Sequence, residues 1–307
     1  MNTVDGKISI CALAYNHVNY VDDFFNGVLN QQVPGYKTEV IIGIDKCDDG
    51  TLQKCVEYKN KFPDLIKLII HSERVGMMQN FVTVLRSADG EYIAFCECDD
   101  YWIDDYKLSS QINTLEHNEN AGICFTDIKI SKSGSSFFIE NWATIIKEKY
   151  SLADIIKTNV ITTCSVVMKN NLDSSIINLL MKFEVGDWPL YILSMMKDNT
   201  KAVYLNKVTS VYRQHEGGTH STKNTVQRLI TTTSVYKSML DIEKLNPNRK
   251  LFEKALAKNY YSLGIFQNDK IKKRQNYILS MKSGSYYNLK FPFFSALRFL
   301  TSFISIV

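Results

Sequence analysis

The first 130 residues alternate between apolar β-rich runs and segments whose apolar residues recur at helical spacing. The runs are KISICALAY (7–15), EVIIGID (39–45), IKLIIH (66–71) and EYIAFCEC (91–98). Between them, NHVNYVDDFFNGVLNQQ carries Val18, Val21, Phe24, Phe25, Val28 and Leu29 in helical register. TLQKCVEYKNKF (51–62) and MMQNFVTVLRSADG (77–90), the latter stopping at Gly90, read as two further helices. Strands that are apolar along their whole length are covered on both faces, and strands that alternate with helices pair in parallel. The chain is expected to be α/β, with a mostly parallel central sheet flanked by helices and a Rossmann-like first half.

Beyond residue 104 the pattern loosens. DDYKLSSQINTLEHN suits a helix with Leu108, Ile112 and Leu115 inward. AGICFTDIKI, ITTCSVVMK (161–169) and KAVYLNKVTSVYRQH (201–215) read as strands. FEVGDWPLYILSMMK opens polar and turns helical, and residues 222–282 are mostly helical and richer in Lys and Asn. A length of 307 residues suggests about two domains. The expected division is 1–220, in two parts of about 1–103 and about 104–220, then a helical region at 221–307.

A formal net charge of +4 is too small to imply nucleic acid, and leaves room for an anionic ligand or membrane surface. The seven cysteines all lie between Cys11 and Cys164, without compact disulfide spacing. MNTVDGKISI lacks the basic start and apolar core of a secretory leader. Reduced thiols in a cytoplasmic enzyme are expected. Cys96 and Cys98 form a C-x-C, but no second Cys or His pair stands at zinc-ligand spacing.

Ligands of such sheets bind beyond the carboxyl ends of the strands. The residues there are Tyr15 and Asn16, Asp45, His71 with Arg74, and Asp99 with Asp100. In IAFCECDDYW two adjacent carboxylates close an apolar run. A dication held against a phosphate would offset their repulsion. A solvated turn, or a helix N-cap within DDYWIDDYKL, accounts for the same residues without chemistry.

Four segments, taken in order, resemble the family 2 glycosyltransferases, bacterial enzymes whose GT-A fold binds nucleotide sugars. They are SICALAYNHVNYVDDFFNGVLNQ, EVIIGIDKCDDGT, GEYIAFCECDDYW, and GDWPLYI followed by VYRQHEGGTHS. The resemblance covers roughly residues 7–220 and implies nucleotide-sugar binding in about 1–103 and the acceptor side in about 104–220. The third segment sits where the family has its D-x-D motif. Glu97 stands where Asp is usual, and Ile44 where Asp is frequent.

The resemblance implies an inverting transfer from a nucleotide-sugar donor, commonly a UDP-sugar, to a saccharide or lipid-linked acceptor in bacterial surface polysaccharide synthesis. It implies Mn²⁺ or Mg²⁺, held by oxygen ligands and stabilising the leaving diphosphate. Asp100 is favoured for the metal, with Asp99 on the ribose or the metal and His215 on the metal or a phosphate. Asp45 would accept the imide N–H of uracil, beside Ala14, Tyr15 and Asn16; Tyr15 also reads as a core aromatic. Arg74 and Asn80 would border the nucleotide, and Arg213 with Gly217 and Gly218 the diphosphate. Asp48 and Asp49 read as turn and cap. Asp187, ahead of an apolar helix, would be the general base, with Glu184 behind it; its plain alternative is an N-cap. His17 and His71 stand near strand ends with no partner that the sequence names.

The final FPFFSALRFLTSFISIV is too short and interrupted for a spanning helix. It suits an interfacial helix on the inner face of the membrane, or a helix docked on the protein itself. Two other functions fit the acidic strand ends: a metal-dependent nucleotidyltransferase and a non-catalytic sugar-nucleotide-binding protein. The first calls for more basic residues and a Gly-rich loop, which AYNHVNY lacks. Metal-dependent hydrolysis of a donor would exclude the second.

Overall fold

A computed structural model describes residues 6–132, 136–140, 147–218, 222–242, 247–285 and 298. Its strands form one ten-stranded sheet. The order is β3 (Ile66–Ile70), β2 (Tyr36–Ile44), β1 (Gly6–Ala14), β4 (Tyr92–Phe95), β9 (Val167–Lys169), β6 (Ala121–Lys132), β10 (Lys201–Gln214) and β5 (Tyr101–Trp102). β7 (Ser136–Glu140) pairs with β6, and β8 (Lys149–Tyr150) with β10. Pairing is parallel from β3 through β2 and β1 to β4, and again between β6 and β10. β9 is antiparallel to both β4 and β6, so β1, β2, β3, β4, β6 and β10 share one direction. The sheet is therefore mostly parallel, as the apolar strands require.

Helices α1 (Val21–Leu29), α2 (Thr51–Lys61), α3 (Met77–Ser87) and α4 (Lys107–His117) pack on this sheet. α1 buries Val21, Phe24, Phe25 and Val28, one face of a helical repeat, with Ile8, Ile10, Val40, Ile42 and Ile44 of the sheet in the same core. Each such side chain contributes roughly 1.5–3 kcal/mol when buried. α3 approaches β2 closely because Gly43 has no side chain: a Cβ there would lie 2.0 Å from Asn80 Oδ1. All seven cysteines are free; Cys96 and Cys98 lie in the apolar core.

Several expected boundaries move. The fourth strand ends at Phe95 instead of Cys98. Its antiparallel partner β9 stops pairing at Ala94, and beyond Phe95 the chain stays bonded to β1, through Cys96 N–H to Cys11 O and Cys98 N–H to Leu13 O. The strand expected over 161–169 is β9 alone, preceded by a 3₁₀ turn at Thr163–Ser165. That turn exposes the Cys164 carbonyl to Trp102 Nε1 (2.9 Å) and Ser210 Oγ (2.8 Å), tertiary partners that outweigh local β preference. α3 stops at Ser87, with Ala88 extended, ahead of Gly90.

After α5 (Leu152–Lys157), α6 (Ser174–Leu180) and α7 (Asp187–Asp198), the chain continues into α8 (Thr225–Leu240), α9 (Arg249–Phe266) and α10 (Lys270–Ser285). Two compact units result. One comprises 1–155, 159–181 and 186–218 and holds the sheet; the other comprises 156–158, 182–185 and 219–307 and holds α8 to α10. Within the second, a capping box of Asn224 and Gln227 opens α8. There Asn259 Nδ2 ties α9 to the Leu229 carbonyl (2.9 Å) and Thr233 Oγ1 (2.7 Å) of α8. The tail expected to meet a membrane lies, apart from Arg298, outside the described residues. Among those described, no helix is long and apolar enough to cross a membrane.

Candidate active site

The parallel strands end together, and the polar residues that follow them converge. Asp45, 4% exposed, follows β2. Its Oδ1 accepts the N–H groups of Lys46 (3.0 Å) and Val75 (2.8 Å), and its Oδ2 that of Gly76 (2.9 Å). Gly76 takes a φ of +81°, which a side chain would resist. The carboxylate thus anchors the loop from β3 to α3. On that loop the Arg74 guanidinium lies 4.5 Å from the centre of the Tyr15 ring, a cation–π contact. Ala14 is buried, and its carbonyl accepts the Asp45 N–H at 3.0 Å. Asn16 is exposed at φ +58°, turning the chain out of β1 and into His17.

Asn80 departs from its expected place at the donor. Its Nδ2 donates to the Gly43 carbonyl at 2.8 Å, and its Oδ1 lies 3.1 Å from His71 Nε2. The amide is buried and consumed in tying α3 and His71 to β2. This also supplies the partner of His71.

Asp99, His215 and His17 form a cluster whose ligand atoms all lie within 4.8 Å of one another. Asp99 Oδ2 is 3.0 Å from His215 Nε2 and 3.6 Å from His17 Nε2. Burial acts to raise the Asp99 carboxyl, but the His215 hydrogen bond and both imidazoles outweigh it and hold it below the usual range. Burial lowers the His17 imidazole, against the pull of Asp99. The Tyr20 ring packs 4.9 Å from that of His215. A carboxylate and two imidazoles converging in this way suit a divalent cation. His17 is the member for which the sequence names no partner. Its signal was its place just past the first buried strand, which means little until β10 brings His215 alongside.

The two adjacent aspartates part ways. Asp100, expected first among the metal ligands, is 3% exposed and turned inward. Its Oδ1 accepts the Arg213 backbone N–H at 2.8 Å, and the Cys164 thiol is its other neighbour. Burial, then the Asp99 charge, pushes its carboxyl well above the usual range. It therefore stands outside the cluster. Arg213, expected at the diphosphate, is likewise engaged by the protein. It donates to the Asp99 carbonyl (2.9 Å), pairs with Asp23, and lies 4.3 Å from the Tyr101 ring centre and 5.2 Å from that of Tyr20.

Asp187 opens α7, half-buried, and its Oδ2 accepts from Asn159 Nδ2 and Thr163 Oγ1, each at 3.3 Å. It is close enough to Glu97 for each to feel the other's charge. Glu97 accepts the Leu13 N–H at 2.6 Å; burial, then Asp99, pushes its carboxyl up to about 8. Glu184, the second candidate base, is exposed and accepts the Ser234 hydroxyl at 3.3 Å within the second unit.

A mostly parallel sheet with this carboxylate–imidazole edge has the GT-A architecture of nucleotide-sugar transferases. The family model "Glycosyl transferase family 2" matches residues 9–175, and the chain belongs to that family. It is 28% identical over 245 residues to Rv1520 of Mycobacterium tuberculosis, a protein without an assigned function, covering 76% of this chain and 68% of that one. It is 25% identical over 213 residues to TuaG of Bacillus subtilis, a putative teichuronic acid biosynthesis glycosyltransferase, covering 67% of this chain and 78% of that one. It is 27% identical over 237 residues to WfaP of Escherichia coli, a UDP-Glc:α-D-GlcNAc-diphosphoundecaprenol β-1,3-glucosyltransferase, covering 76% of this chain and 86% of that one. In fold it is similar to residues 1–349 of S. aureus TarS, solved with UDP-GlcNAc, at a TM-score of 0.60 and 16% identity, over 90% of this chain and 81% of that one. The mannosyltransferase PcManGT of Pyrobaculum calidifontis, solved with GDP-Man and Mn²⁺, gives 0.58 and 15%, over 97% and 81%.

Proposed function

We infer that this glycosyltransferase moves a sugar, with inversion, from a UDP-sugar to a saccharide or lipid-linked acceptor in the assembly of a bacterial surface polysaccharide. The observation that carries the reading is Asp99 held against His215 beyond the ends of the parallel strands. The donor and the setting are supported by relatives: WfaP is named for a UDP-sugar and a diphosphoundecaprenol acceptor, and TuaG for teichuronic acid. A lipid-linked acceptor would bring the protein to the cytoplasmic face of a membrane.

In this reading Asp99 and His215 hold Mn²⁺ or Mg²⁺, which when bound supplies positive charge for the leaving diphosphate. Asp45 keeps the loop from β3 to α3 in place beside the base, with Oδ2 accepting only the Gly76 N–H among the described residues and so retaining capacity for an imide donor. The Tyr15 ring, with Arg74 against it, offers a face for stacking. Asp187 takes the proton of the acceptor hydroxyl as it attacks the anomeric carbon. Asn159 and Thr163 orient the Asp187 carboxylate for that task.

Melting temperatures with UDP, ADP and GDP, each with and without Mn²⁺, test the reading. UDP should stabilise most, Mn²⁺ should increase its effect, and Asp99→Ala should remove that increase. Stronger stabilisation by ADP or GDP would refute the uracil assignment.

A further inference from the structure

We propose that His17 is a further protein ligand of the divalent ion, so that two imidazoles and the Asp99 carboxylate together decide which metal the enzyme accepts. This rests on the donor-site reading above. Neither nitrogen of the His17 ring makes a hydrogen bond among the described residues. Nδ1 is buried without a partner, and Nε2 stands 3.6 Å from Asp99 Oδ2, beyond hydrogen-bond range. An imidazole only 14% exposed and without hydrogen-bond partners costs stability unless something electrophilic shares its site.

The main chain on either side holds the ring there. The His17 N–H donates to Thr51 Oγ1 at 2.8 Å, and the His17 carbonyl accepts from Tyr20 (2.8 Å) and Val21 (3.1 Å) as α1 begins. The rings of His17 and His215 stand edge to face, 6.2 Å between centres, and both Nε2 atoms approach the same oxygen of Asp99. Two groups 198 positions apart in the chain (17 and 215) thereby converge on one carboxylate.

Ligand type decides the consequence. Mg²⁺ and Ca²⁺ take oxygen donors, whereas imidazole favours the first-row transition metals. A site with one carboxylate and two imidazoles should therefore prefer Co²⁺ and Mn²⁺ to Mg²⁺. Replacing His17 should weaken that preference, since His215 alone then supplies an imidazole.

The test is calorimetric titration of the full chain with Co²⁺, Mn²⁺ and Mg²⁺, with UDP and without it, for wild type, His17→Ala and His17→Gln. The Co²⁺ visible spectrum adds a direct view of nitrogen ligation. Wild type should bind Co²⁺ and Mn²⁺ at least about tenfold more tightly than Mg²⁺. His17→Ala should weaken both by about 10–100-fold, the range already seen when only a ligand's support is removed, and should alter the Co²⁺ spectrum. UDP binding without metal should not change. If His17→Ala fails to fold, His17→Gln, which offers an oxygen, should shift the preference toward Mg²⁺. Wild type that binds UDP and Mn²⁺, with His17 variants of unchanged metal affinity, overturns this proposal and leaves the donor reading standing. Wild type that binds no divalent ion, with UDP or without, overturns both.

Discussion

Asp100 and Arg213 stand 113 residues apart, and the Asp100 carboxylate accepts the Arg213 backbone N–H at 2.8 Å. This bond fastens the end of β10 to the turn after β4. His215, two residues further on, then reaches Asp99. One aspartate of the pair secures the fold, and its neighbour is the one proposed to face the metal. Asp100→Ala should lower stability by about 1–3 kcal/mol, because a buried N–H loses its acceptor. Asp99→Ala should abolish the Mn²⁺ effect on UDP binding, which the folded fraction of Asp100→Ala should retain. An Mn²⁺ effect lost equally in the two folded variants would refute this division of labour.

Asp187→Asn keeps the shape and the contacts with Asn159 and Thr163 but cannot take a proton. General-base catalysis contributes typically about 10²–10⁴-fold. Transfer should fall by about that factor, while UDP affinity and melting temperature stay close to wild type. A variant that transfers at the wild-type rate would leave Asp187 a structural residue and return attention to Glu184.

Gly43→Ala probes how β2 and α3 fit. The added carbon would lie 2.0 Å from Asn80 Oδ1 and 2.6 Å from Val84 Cγ2. Asn80 must move, and its bonds to the Gly43 carbonyl and His71 go with it. Overpacking of this kind costs about 1–3 kcal/mol, read as a lower urea midpoint. No change in midpoint would mean that α3 can shift freely on the sheet.

Lys107 is fully buried beside the Trp102 ring (4.5 Å) and donates to Gln111 Oε1 at 2.6 Å. Burial lowers its pKa from 10.5 to about 8. The unfolded chain therefore holds the proton more tightly than the folded one between these values, and the cost to stability is complete below about pH 8. Raising the pH from 8 to 10.5 relieves it, by roughly 3 kcal/mol in the limit of full burial. Relative to Lys107→Met, wild type should gain stability steadily across that window, measured as the difference in urea unfolding free energy. A difference independent of pH would show that Lys107 keeps an ordinary pKa.

The sequence by itself determined the alternation of strand and helix, the parallel sheet, the polar edge beyond its strands and the family. Runs such as VIIGI (40–44) admit few other solutions: a strand stretch without polar residues has to be covered on both faces, and helices are the cover the next segments supply. Only the tertiary structure decided which polar residues meet. Asp99 and Asp100 are alike in sequence, yet β10 gives one an imidazole and the other a backbone N–H. Asn80 and Arg213 carry the groups that bind nucleotides, yet Gly43, Asp23 and the Asp99 carbonyl engage them first. His17 acquires a neighbour in His215 only after β9 and β10 are inserted beyond β4. Local periodicity reports which face of an element is covered. It carries no record of contacts that close across a hundred or more residues, because those depend on strand order and on which hydrogen bonds remain to be satisfied.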